Sequence, residues 1–175
     1  MSELAVVRLE PVRFHVADAA EILLPQLKPT FRRALEILLM AGSKNNFSED
    51  AMSAELVGGT AFAAPANLFF GLWTAALSDT STGSAASETT YGSYARVSKT
   101  NNTTNFAGTT SPRTNSTAIT FPQSTSGSQT VTHVGVCSAS TAGDMYLWAD
   151  LTASRTIDTG ETPEFAISAF SYSED

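Results

Sequence analysis

After residue 60, Ser, Thr and Gly interrupt the chain so often that only strand-length apolar stretches remain between them. A helix needs about ten or more residues holding a 3.6-residue period, whereas a strand needs about five or six. The stretch "NLFFGLWTAA" from Asn67 is almost continuously apolar and aromatic and reads as a central strand. Further strands are expected at "SYARVSK", "AITFP", "TVTHVGVCS", "MYLWADL" and "EFAISAFSY". Polar turns separate them: "SDTSTGSAASE", "NNTTNFAGTTSPRTNS", "STSGS", "ASTAGD" and "DTGE". The expected fold is mainly β: an antiparallel β-sandwich of about six or seven strands over residues 58–175. Tyr91, Tyr94, Val97, Phe106, Ile119 and Phe121 punctuate the Ser/Thr-rich stretch, so it reads as long surface loops on a β scaffold rather than a disordered linker.

Residues 1–57 have a different character, charged and helix-friendly, and read as a strand-plus-helices arm for docking or oligomerisation. Val12, Phe14 and Val16 alternate with Arg13 and His15, the period of a strand with one buried face. Asp18 and Glu21 have capping-box spacing, and Pro25 and Pro29 limit the helix that follows. Thr30 can cap a second helix on which Phe31, Leu35, Leu38 and Leu39 share one face, a candidate interface. Ser48 can cap a third, ended by Gly58-Gly59.

Charge narrows the classes of partner. Only 15% of residues are charged and the formal net charge is −7, which disfavours nucleic acid, since phosphate binding needs clustered Lys and Arg. The most apolar run, Ala34 to Ala41, is interrupted by Glu36 and is too short to span a bilayer. The N-terminus lacks the basic-then-apolar pattern of a secretion signal, so the four Asn-X-Ser/Thr matches at Asn46, Asn101, Asn102 and Asn115 read as chance products of composition. A single cysteine leaves stability to packing.

Several motifs suggest chemistry and admit plainer readings. His133 and Cys137 lie in one expected strand, where positions i and i+4 are about 13 Å apart at ~3.3 Å per residue. That separation excludes a thiolate–imidazole dyad and a shared metal within the strand. Strict alternation puts Val131, His133, Gly135 and Cys137 on one face, with Cys137 buried and His133 at a sheet margin or interface. Asp158-Thr159-Gly160 is the tripeptide of aspartic proteases, but one copy would require a symmetric dimer, and the same residues make an ordinary turn. Asp144, Asp150, Asp158, Glu161 and Glu164 lack EF-hand spacing. Glu88 and Arg96 stand out in a nearly neutral region and are a candidate structural ion pair. Trp73 and Trp148 would be the sugar platforms if the domain bound carbohydrate. No catalytic, cofactor-binding or metal residue is assigned.

Several segments then assemble in order: "GGTAFAAPANLFFGLWTA", "SETTYGSYARV", "AITFP", "TVTHVGV" and "AGDMYLWADLTASRTIDTGETPEF". Over roughly residues 58–170 the chain resembles a family of short tailed-bacteriophage structural proteins often labelled tail-fibre-like. The likeness is strongest at Gly59-Thr60, Pro65, Leu72, Glu88, Tyr94-Ala95-Arg96, Phe121-Pro122 and Thr132-His133-Val134-Gly135. It departs from that pattern at Ser128-Gln129 and Cys137-Ser138. The resemblance implies a β-sandwich component of a virion, assembled in the host cytoplasm, with no catalytic residues to carry over. Fibres show heptads or short repeats, and this chain has neither. The expectation is therefore a capsid decoration (cement) protein bound to the major capsid protein or other virion proteins, as a homo-oligomer. A tail, tail-fibre or neck component is the alternative, and a carbohydrate-binding module a more distant one.

Overall fold

The computed structural model describes residues 6–9, 12–14 and 42–173, with side chains from Ser43 to Ser173. Its first elements are β1 (Val6–Leu9), β2 (Val12–Phe14), β3 (Gly42–Lys44) and α1 (Asn46–Val57). The long strands are β4 (Asn67–Trp73), β9 (Gln129–Cys137) and β10 (Met145–Ile157). Between β4 and β9 come β5 (Val97–Thr100), β6 (Phe106–Ala107), β7 (Arg113–Asn115) and β8 (Ile119–Thr120). The chain ends with β11 (Thr162–Phe165) and β12 (Phe170–Tyr172). Phe31, Leu35, Leu38 and Leu39, His15, and the helices expected from Asp18 and Thr30 lie outside the described residues.

The strands form a five-stranded sheet ordered β3-β10-β9-β4-β5, a three-stranded sheet β1-β11-β8 and a four-stranded sheet β2-β12-β7-β6. Pairing is antiparallel except where β1 joins β11 and β2 joins β12 in parallel. The main core draws Phe70 and Leu72 from β4, Val134 and Val136 from β9, and Ala149 and Ile157 from β10. It meets Phe106, Ile119, Phe165 and Phe170 from the two smaller sheets. Phe70 packs edge-on to Phe170 at 5.1 Å between ring centroids and stacks on Phe106 at 6.0 Å. The short strands β6, β7 and β8 lie in the Ser/Thr-rich region; Phe106 seats β6 and Ile119 seats β8, while β7 is held by the buried side chain of Asn115.

The five-stranded sheet is covered on its other face too. Trp73, Leu77, Cys137 and Met145 form a second buried cluster, with Phe69, Ala85 and Trp148 packed against it. This explains why β4 reads as a continuous apolar run rather than an alternating one. The cover is the 78–90 loop, expected to face solvent or bridge neighbours; Ser78, Asp79 and Thr80 are exposed, while Gly83 and Thr89 are buried. It is held down by Asn46 N–H to Asp79 O (3.0 Å), Gly83 N–H to Gly143 O (2.9 Å) and Thr89 N–H to Leu72 O (2.9 Å).

Two local expectations change. The cap of α1 is Asn45, whose side chain accepts from the Phe47 N–H; Ser48 instead sits in the first turn and donates to Tyr146 O at 2.9 Å. In β9 the alternation breaks: Val131 joins Val134 and Val136 in the main core, while Gly135 and Cys137 lie on the opposite side. The register with β10 shifts between Asp150 and Arg155, opposite Thr132, and this bulge resets the phase of the strand.

Candidate functional site

Glu88 and Arg96, eight residues apart, form a bidentate pair: Nε to Oε1 and Nη2 to Oε2, both at 2.7 Å. A guanidinium carries five N–H donors in a planar fork, and here every one is used. Nη1 donates to Ala139 O at 2.8 Å and Ala142 O at 2.9 Å, and Nη2 also donates to Gly83 O. The Arg96 side chain is 1% exposed and that of Glu88 22%. Tyr94 donates its hydroxyl proton to Glu88 Oε1 at 2.8 Å and accepts from Leu72 N–H at 3.0 Å. Burial, reinforced by the Glu88 charge, raises the Tyr94 phenol well above its ordinary pKa. Arg96 thus ties the 78–90 loop to the 138–144 turn, and Tyr94 joins both to β4 through Glu88.

Beneath the guanidinium lies Trp73, with Arg96 Cζ 5.5 Å from the ring. Its indole crosses a slot formed by two glycines, Gly71 and Gly135, which face each other in the β4–β9 register. A Cβ on Gly135 would fall 2.7 Å from Trp73 Cζ3, and one on Gly71 2.8 Å from the same atom. Only glycine leaves room for the ring. Trp73 is fully buried and so offers no sugar platform. Trp148 is half-buried and donates from Nε1 to Asp79 Oδ1 at 3.2 Å.

His133 lies on the middle strand of the five-stranded sheet, not at its margin, registered between Trp73 and Asp150. Its Nε2 is 2.7 Å from Asp150 Oδ1, and its Nδ1 is 2.7 Å from Thr132 Oγ1. A carboxylate on one nitrogen and a hydroxyl on the other fix the orientation of the ring beside the bulge. Cys137 registers with Phe69 and Met145, away from that pair. Burial pushes its thiol up from 9.0 to about 12, against the pull of Arg96, so it is a neutral thiol at physiological pH.

Residues 43–173 match the family of podophage GP4 fiber I protein gp80. The chain belongs to this family. No curated protein matches it. A member of the Gp80 fibre family is a structural component of a phage virion. The matched span runs from β3 through β12 and contains the whole Glu88–Arg96 network and the His133–Asp150 pair.

The remaining motifs of this Gp80 chain resolve into turns and clamps. Asp158 to Glu161 links β10 to β11; Asp158 N–H donates to Glu161 Oε2 at 2.8 Å and Glu161 N–H to Asp158 O at 3.1 Å. Gly160 takes the left-handed conformation, φ 91°, that such a turn needs. Among the described residues no three His, Cys, Asp or Glu side chains converge as metal ligands. Asn115 is 1% exposed and fully engaged, donating to Thr117 O and Ala166 O and accepting from Phe170 N–H. A glycan could not be attached there without unfolding the site. Sequence reasoning missed Trp73, Gly71 and Gly135 as one unit. Their link is a cross-strand register, and the only local sign is a glycine inside each of two otherwise apolar strands.

Proposed function

We propose that this chain is a non-catalytic module of a podophage fibre, attached to the particle by contacts with other virion proteins. The observation that carries this reading is the family match over 43–173, from the first strand of the main sheet to the last strand of the chain. The most polar buried cluster fits a structural role, because every donor of Arg96 is spent on the chain's own loops. Phe31, Leu35, Leu38 and Leu39 are the proposed contact with a neighbouring virion protein, and assembly takes place in the host cytoplasm. A second reading, shell decoration on the major capsid protein, draws support from a fold that closes its own core without a fibre repeat.

Copy number separates the two. Quantitative mass spectrometry of purified particles should count a few copies per particle for a fibre module, whereas hundreds would mean shell decoration. Leu35→Asp with Leu39→Asp should reduce incorporation sharply. Full incorporation of that variant would remove the proposed contact.

A further inference from the structure

Where α1 lies against β10, an apolar groove of about 230 Å³ opens to solvent, walled by Met52, Phe62, Pro65, Leu68, Tyr146 and Leu147. A cavity of ~150 Å³ already admits a benzene-sized apolar guest. Residues four apart on a helix share a face. Ser48 and Met52 both line the groove, and Leu56 is the next position on that stripe. Yet Leu56 is 80% exposed and its neighbour Val57 86%. From Leu56 to Ala66 the chain carries no charge and is exposed, except where Phe62 and Pro65 turn into the groove. The backbone groups of residues 61–64 bond to no other described residue.

We propose that this face is where two copies of the chain meet. The exposed Leu56–Val57 pair of one copy enters the groove of the other, and the 61–64 segments, which belong to no helix or strand, offer their unbonded N–H and C=O groups to each other. Three observations select a second copy as the occupant. The projecting pair and the groove share one face, so a two-fold axis satisfies both at once. Each chain has a formal charge of −7, which opposes self-association except where charge is sparse; residues 56–78 contain no charged side chain, and among the described residues Lys44 is the one charged residue lining the groove. Unbonded backbone groups outside any helix or strand select a partner that brings matching backbone groups, which the same segment of a second copy does. The proposal holds for a fibre or a shell component alike, so it is independent of the copy-number experiment.

Light scattering of the full chain over a concentration series tests it. Wild-type protein should give twice the 18.5 kDa chain mass, and Leu56→Asp with Val57→Asp should return it to once that mass. Both side chains are exposed, so the variant should keep the wild-type circular dichroism spectrum and a cooperative melt, which separates lost association from lost folding. Mixing a Leu56→Cys chain with a Met52→Cys chain should give an intermolecular product with a short bis-maleimide, the native Cys137 being buried. A wild-type monomer at every concentration overturns the proposal. So does an oligomer that survives Leu56→Asp with Val57→Asp, including one lost only through Leu35→Asp with Leu39→Asp.

Discussion

Arg96 shows how one residue can be legible and its role only partly so. Charges are scarce between residues 80 and 130, so Glu88 and Arg96 stand out in the sequence as partners for each other. The three carbonyls that Arg96 also holds, on Gly83, Ala139 and Ala142, leave no trace there, because backbone acceptors look alike at every position. Arg96→Met should therefore cost about 3–5 kcal/mol, since it strands a partly buried carboxylate and three carbonyls together. Urea denaturation gives the number, and a loss below 1 kcal/mol would show the network to be dispensable. Gly135→Ala should cost about 1–3 kcal/mol by overpacking against Trp73 and should alter tryptophan fluorescence. Unchanged fluorescence and stability would refute the slot. Cys137 sets a pH dependence. Its thiol is raised from 9.0 to about 12 in the fold, so the folded chain holds a proton that the unfolded chain gives up. That stability is complete below about pH 9 and is lost as pH rises toward 12. A denaturation midpoint that falls over this window in wild type, and less in Cys137→Ala, is the expected result. An identical fall in both would assign the effect to other groups.

At the level of elements, length and apolar density located the long strands, although β10 runs past the expected Leu151 to Ile157, and local chemistry misplaced the start of the helix. The helix start illustrates the reason. Ser48 and Asn45 are both good caps by residue type, and only the tertiary partners decide between them. Asn45 is 4% exposed; its Oδ1 caps the helix while its Nδ2 donates to Ser81 O at 2.6 Å, so both ends of the amide are committed. Asp usually caps as well as Asn, but here a carboxylate oxygen would face the Ser81 carbonyl. Asn45→Asp should therefore destabilise by about 1–3 kcal/mol and at least as much as Asn45→Ala. Thermal melts of the two variants decide it, and an Asn45→Asp protein as stable as wild type would show that the amide donor does not matter. The phase reset in β9 was equally invisible, since the extra residues that cause it belong to β10. The division of "EFAISAFSY" into β11 and β12 follows from a turn at Ser168, a non-glycine residue at φ 63°. Asn115 anchors that turn by accepting Ser168 N–H at its own carbonyl, 2.9 Å away.

At the scale of the whole molecule, the pairings hardest to read are those that join the chain's two ends. β1 lies parallel to β11 and β2 parallel to β12, with Val6 opposite Thr162 and Val12 opposite Phe170. Alternation marks "VRFHV" as a strand, but nothing local names a partner so far along the chain. The family match begins at residue 43, so it takes in β3 and omits β1 and β2. Without them, among the described strands, β11 keeps only β8 as a neighbour and β12 only β7, and both become open sheet edges. Deleting residues 1–14 removes two short ladders, a loss on the order of a few kcal/mol at about 1 kcal/mol net per hydrogen bond. For a chain of this size about 2–4 °C accompanies each kcal/mol, so the truncated protein should melt roughly 5–10 °C below the full chain. Its exposed edges should also make it aggregate on heating, where the full chain refolds. Scanning calorimetry with a reheating cycle measures both effects. A truncated chain with the same melting temperature and full reversibility would mean that residues 15–175 close the sandwich without β1 and β2, and that these N-terminal strands serve assembly rather than the fold.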